Sequence, residues 1–133
     1  EGTPSPADAA HRAPPALQRA IAALATYCAD PRRPPPCLPL LAPAQATAFQ
    51  RRVWAALRRI PPGAPLTYGE LARRLGSGPR AVGAACRANP WPVLVPCHRV
   101  VARDGLGGYG GGGEAGRERK RRLLEWEGWT APT

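Results

Sequence analysis

Apolar positions recur at helical spacing in five stretches of the 133-residue chain and close into a short unbroken run in a sixth. Between Pro15 and Tyr27, Leu17, Ile21 and Leu24 lie on one side with Cys28, and Pro15 stands at the first helical position. From Thr47 onward Phe49, Val53, Trp54 and Leu57 share a face, with Arg51, Arg52, Arg58 and Arg59 around the others. That helix stops at Pro61-Pro62-Gly63. Thr67 and Glu70 make a T-x-x-E capping box, which predicts a helix from Tyr68 to about Leu75 with Gly76 as its C-terminal cap. Ser77-Gly78-Pro79 turns the chain into a second short helix, Arg80 to Ala88, ended by Asn89-Pro90. A charged helix from Glu114 to Trp126 turns Leu123 and Leu124 inward. The unbroken run, Trp91-Pro92-Val93-Leu94-Val95, reads as a brief buried strand, and Val100-Val101 as a second apolar run.

The segments between these elements set the domain plan. Residues 1–15 hold four prolines and no apolar period, a tail or linker, and residues 31–45 hold six prolines, an extended connector. The expected division is therefore 1–45, a tail, helix and connector, and 46–133, a mostly helical main domain with a short extended element. The chain has no methionine, which suggests a piece of something longer. No run reaches the ~18 apolar residues of a membrane span, and no basic-then-apolar export signal opens it. Cys28, Cys37, Cys86 and Cys97 show no CxxC spacing, and His11 and His98 are the only histidines. A structural zinc site is disfavoured, and a reduced, cytoplasmic setting fits better than a disulfide framework.

Charge narrows the partner. The net charge of +10 calls for a polyanion, most plausibly nucleic acid, with solvated basic surface as the alternative. Residues 46–133 carry fifteen Lys and Arg against six acids, so the basic character belongs to the main domain. Two short helices joined by a Gly-rich turn outline a helix-turn-helix. The second, Arg80-Ala81-Val82-Gly83-Ala84-Ala85-Cys86-Arg87, has no Asn, Gln or Ser to read base edges. Its small residues suit either a groove recognised by shape or a close helix–helix contact. Gly105-Leu106-Gly107-Gly108-Tyr109-Gly110 satisfies GxGxxG, but the chain ends before a second strand with its ribose-binding acid, so a dinucleotide site is rejected. That glycine-rich backbone can instead pass close to a ligand.

The chemistry concentrates in Pro96-Cys97-His98-Arg99-Val100. Pro96 locks its own φ and biases Val95 toward extended geometry, which would hold the thiol rigidly. A free thiol with a pKa of about 8.5 is only a few per cent ionised at neutral pH, so a nucleophilic cysteine needs a group to take its proton. His98 is adjacent, although neighbours on an extended chain point opposite ways, and a small buried cysteine beside an unrelated histidine accounts for the pair alone.

The flanks decide. Phe49-Gln50-Arg51-Arg52-Val53-Trp54, Thr67-Tyr68-Gly69-Glu70-Leu71-Ala72, Arg80-Ala81-Val82-Gly83, Asn89-Pro90, Pro96-Cys97-His98-Arg99-Val100-Val101, Gly107-Gly108-Tyr109-Gly110-Gly111 and Glu127-Gly128 stand in order. Residues 46–128 resemble the C-terminal domain of the 6-O-methylguanine-DNA methyltransferases. The resemblance implies a winged helix-turn-helix domain, preceded by a short helical remnant of an N-terminal domain. It implies double-stranded DNA containing alkylated guanine as partner, gripped by the minor groove with the damaged base flipped out. It implies irreversible alkyl transfer to Cys97, once per molecule, with no metal or redox cofactor, no membrane and no obligate protein partner. By the same resemblance His98 relays a proton through water, Glu127 orients and charges that imidazole, and Asn89 fixes the turn before the active-site segment. Tyr68 contacts the flipped nucleotide and protonates the departing guanine, and Arg80 enters the vacated base stack. Ala81, Gly83, Ala84 and Arg87 line the DNA-facing helix, and Val100, Tyr109 and the Gly110 N–H meet the base.

Two departures accompany the resemblance. Cys86 stands where the family often has a bulkier residue, with a minor effect on groove contact expected, and Gly110 where it commonly has Ser. The competing readings are an alkyltransferase-like lesion binder, which Cys97 argues against, and a plain winged-helix module. The family's spent form is commonly destabilised, for which methyl crowding around Cys97 and Asn89 is the expected cause.

Overall fold

The computed structural model describes residues 14–33, 42–108 and 113–131. The chain divides into two compact units, 1–41 and 42–133, a few residues earlier than the sequence suggests. The reason is local: the Pro43 carbonyl accepts from Arg51 Nη2 at 3.0 Å and from the Ala46 N–H at 2.9 Å, tying residues 42–46 to the second unit.

In the first unit, helix α1 spans Pro15–Ala29, with Pro15 opening it as expected. Its buried residues are Ala20 and Ala23. Leu17, Ile21 and Leu24, which share the helical period, are exposed by about two fifths.

The second unit is built from α2 (Ala48–Leu57), β1 (Leu66–Thr67), α3 (Tyr68–Leu75), α4 (Pro79–Arg87), a 3-10 turn (Cys97–Arg99), β2 (Val100–Val101) and α5 (Gly113–Trp126). Two complete capping boxes start helices: Thr47 with Gln50 opens α2, and Thr67 with Glu70 opens α3. Each satisfies backbone donors that a helix start otherwise leaves open, worth about 1 kcal/mol apiece. Gly76 closes α3 in the left-handed conformation at φ 64°, and the Ser77 N–H returns to the Ala72 carbonyl at 2.9 Å.

Helices α3 and α4 pack together and α4 also packs on α2. Val53, Trp54, Leu57, Leu71, Ala72, Val82 and Ala85 are buried. Trp54 Nε1 donates to the Ala85 carbonyl at 2.9 Å, so the indole satisfies a buried carbonyl of α4 while filling the core. β1 and β2 pair in parallel, Leu66 opposite Val100 and Thr67 opposite Val101. This pairing carries the 3-10 turn to the N-terminus of α3, and α5 packs against that turn. Val101, Leu106 and Leu124 form a cluster covered by Trp129 and Ala131. Among the described residues no helix is long and apolar enough to cross a membrane.

Candidate active site

The approach to Cys97 is a knot of turns, not the strand its apolar run predicts. Pro90, Pro92 and Pro96 lack the N–H a ladder needs, and Val93 takes φ 73°, a strained value for a β-branched residue. The chain folds on itself, the Val95 N–H reaching the Trp91 carbonyl at 2.8 Å. Asn89 holds the fold from both ends. Its Nδ2 donates to the Val95 carbonyl at 2.7 Å and its Oδ1 accepts from the Trp91 N–H at 2.9 Å. Cys97 and His98 follow within the 3-10 turn, both buried.

His98 Nε2 and Glu127 Oε2 are 2.6 Å apart and fully buried. Glu127 also accepts from Arg99, Nε to Oε1 at 2.9 Å and Nη2 to Oε2 at 3.0 Å, while Arg99 Nη1 donates to the Ile60 carbonyl at 2.8 Å. A carboxylate held by an arginine fork accepts, so His98 Nε2 carries the hydrogen and Nδ1 keeps its lone pair. Nδ1 is the buried side-chain polar atom that meets no hydrogen-bond partner among the described residues. Burial pushes the His98 pKa down, and Arg99 and Lys120 add to that, against the upward pull of Glu127. The resting imidazole is therefore a neutral base with its acceptor nitrogen unengaged. Glu127 holds the ring at Nε2.

Tyr68 opens α3 and reaches the glycine-rich loop, its hydroxyl 3.5 Å from the Gly108 carbonyl. Gly107 makes this approach possible: at φ 73° any Cβ would stand 3.2 Å from the Tyr68 ring and 3.3 Å from the Ala102 nitrogen. Burial, then the nearby Cys86 and Cys97 thiols, pushes the Tyr68 pKa up to about 12, so the phenol keeps its proton and can donate it.

On α4, Arg80, Ala81, Ala84 and Arg87 are exposed along one side with Gly83 half-buried, while Val82, Ala85 and Cys86 face inward. A Cβ at Gly83 would meet only Arg87 Nη1, at 3.7 Å, so internal packing does not demand the glycine. Cys86 departs from expectation. It is buried on the inner side of α4 with Val82 and Ala85, and burial pushes its pKa up to about 12. Val100 has a fully buried side chain and pairs with β1 through its backbone, so a meeting with a base would run through its main chain. Tyr109 and Gly110 lie outside the described residues.

Sequence reasoning missed Arg99 and Lys120. Arg99 lay inside the motif, unused. Lys120 stood in a run of charged residues that looked solvated, yet it is completely buried. Its Nζ donates to the Gly108 carbonyl at 3.1 Å and to the Tyr68 hydroxyl at 3.4 Å, 5.4 Å from the centre of that ring. Burial pushes its pKa down to about 8. Only its i, i+4 relation to Leu124 on the inward face of α5 could have signalled this.

A sequence profile described as "6-O-methylguanine DNA methyltransferase, DNA binding domain" matches residues 48–129. The chain belongs to this family. A methylated-DNA–protein-cysteine methyltransferase of Thermococcus gammatolerans is 47% identical over 97 residues, 70% of this chain and 53% of that protein. The crystal structure of Mycobacterium tuberculosis OGT in complex with DNA superposes with a TM-score of 0.67 at 40% identity, over 84% of this chain and 65% of that one. S. pombe Atl1, in complex with damaged DNA containing O6-carboxymethylguanine, superposes with a TM-score of 0.52 at 37% identity, over 60% and 75%. The fold is thus the mostly helical alkyltransferase domain with its small sheet. The chain spans about half the length of the curated relatives it matches.

Proposed function

We propose that this chain repairs DNA by moving the alkyl group of a 6-O-alkylguanine onto Cys97, once per molecule. The observation that carries the reading is the buried relay: Glu127 fixes the His98 tautomer, leaving Nδ1 as an acceptor on the same short turn as the thiol. His98 takes the thiol proton, directly or through a water. The Cys97 sulfur then bonds to the alkyl carbon as the carbon–oxygen bond breaks, and the electron pair leaves with the guanine. Tyr68, whose phenol is protonated at neutral pH, hands that base a proton. Afterwards Tyr68 regains a proton from solvent and the imidazolium releases one, so protons balance. The thioether has no leaving group that the site could expel, so the protein is consumed.

The DNA-binding surface in this reading is the exposed side of α4. Arg80 and Arg87 bracket Ala81, Gly83 and Ala84, so the backbone of this small-residue side can approach a groove, with Arg87 free to meet a phosphate. Arg80, exposed at the start of α4, fills the stack when the damaged guanine is flipped, a displacement costing a few kcal/mol and least for a weakened pair.

The test is intact and peptide mass after mixing with a duplex carrying one O6-methylguanine. One added methylene on the Cys97 peptide, saturating at one per protein and absent in Cys97→Ser, is the expected result. Tight lesion binding at unchanged mass would replace transfer with recognition alone.

A further inference from the structure

Lys120 is a fully buried ammonium, and among the described residues no carboxylate lies within ion-pairing distance of it. Its hydrogen bonds go to a carbonyl and a phenol, which are neutral. A buried charge held only by dipoles is strongly unfavourable, so such lysines either shed the proton or serve an anion that forms nearby.

The Tyr68 hydroxyl on α3 accepts from it at 3.4 Å, and two thiols bear on its charge, Cys86 on α4 and Cys97 on the 3-10 turn that α5 packs against. Lys120 also bears on His98 of that same turn, and Arg87 acts on Tyr68 and Cys86 from α4. Burial holds Tyr68 and Cys86 in their protonated forms, each with its pKa pushed up to about 12. Glu127 is shared between His98 and Arg99. Cys97 is the remaining group that can supply a negative charge, and α5 packs directly on the turn that carries it.

We propose that Lys120 is the buried counter-cation of the Cys97 thiolate, a positioning residue that holds the phenol of Tyr68 and favours ionisation of the acceptor sulfur. The assignment rests on the transfer reading above for its purpose, but not for its test. His98 removes the thiol proton and Lys120 stabilises what is left, so the two groups do different work on one sulfur. Their influence is reciprocal: a thiolate at position 97 favours the charged lysine as much as the charged lysine favours the thiolate. A second consequence follows. A thioether cannot ionise, so transfer strips Lys120 of its anion and leaves a lone cation in the core of the spent protein.

The experiment is the pH dependence of iodoacetamide modification, read at the Cys97 peptide without DNA. Cys28, exposed on α1, serves as internal reference. Lys120→Met should move the Cys97 profile to higher pH by about one unit, a rate loss of about tenfold near neutrality. Lys120→Arg, which keeps the charge, should recover much of it. An unmoved profile in folded Lys120→Met overturns the proposal and reduces Lys120 to a structural prop for Tyr68 and Gly108, with guanine transfer untouched. If the methionine variant does not fold, NMR titration of Lys120 in wild type and Cys97→Ser decides: a lower lysine pKa without the thiol supports the pair, and an identical one overturns it. Lack of transfer from methylated DNA alongside a shifted thiol profile would instead sink the functional reading and keep this one.

Discussion

Arg99 and Lys120 are both buried cations in one small domain, and their surroundings differ in kind. Arg99 spends its guanidinium on a fork to Glu127 and a bond to the Ile60 carbonyl. Nothing in that arrangement needs to change during a reaction. Lys120 donates to a phenol and a carbonyl, and two thiols bear on its charge. The arginine's countercharge is permanent, whereas in the proposed reaction the lysine's is a thiol that titrates and is then alkylated. A complete ion pair fixes geometry, whereas an incomplete one marks where charge will develop.

The comparison breaks most visibly if Arg99 is made to resemble Lys120. Glu127→Ala leaves Arg99 buried without its anion and His98 without its orienting acceptor. Loss of one partner from such a buried pair should cost about 3–5 kcal/mol of stability, measured by urea denaturation, together with the reactivity of Cys97. Retention of full stability would mean that the fork contributes nothing to folding.

Methylation of Cys97 sharpens the other side. The spent wild-type protein should be less stable than the unreacted one by on the order of 2 kcal/mol at pH 7, and Lys120→Met should remove most of that difference. The sign follows from the lowered lysine pKa, about 8 against an ordinary 10.5. Between its folded and unfolded pKa values the lysine binds more protons in the unfolded chain, so the penalty is full below the folded pKa, which without the thiol lies under about 8, and is relieved as pH rises toward 10.5. Tyr68 and Cys86, both raised to about 12, act oppositely at high pH, because the folded state keeps protons the unfolded state sheds. Comparing each form with its Lys120→Met counterpart at equal pH cancels them. Equal methylation losses in both proteins would return the cause to crowding around Asn89.

The smallest effect is expected from Tyr68→Phe, which keeps the ring under Lys120 and removes the hydroxyl. Stability should fall by about 1 kcal/mol in chemical denaturation, while transfer slows because the departing guanine loses its proton donor. Unchanged transfer would assign that proton to another group.

How legible these features were depended on how local they are. The α3 capping box, the Gly76 cap and the stop at Asn89-Pro90 each involve residues within one turn, and the helices begin and end close to where the pattern places them. The Thr47–Gln50 box went unread, although it has the same spacing. The run before Cys97 misled because apolar character outweighed three prolines, whose missing N–H groups rule out a ladder. In α1 the larger apolar residues matched the helical period but are not the ones buried.

By itself the sequence determined the helices, their caps, the basic surface and the motif that brings a thiol and an imidazole onto one turn, because these rest on neighbours along the chain. Only the tertiary structure decided which acids and cations meet. Arg99 reaches Glu127 across 28 residues and Lys120 reaches Tyr68 across 52. Burial then sets their charge states: a lysine in a charged stretch reads as surface until the fold removes it from water, and only there does its missing anion carry meaning.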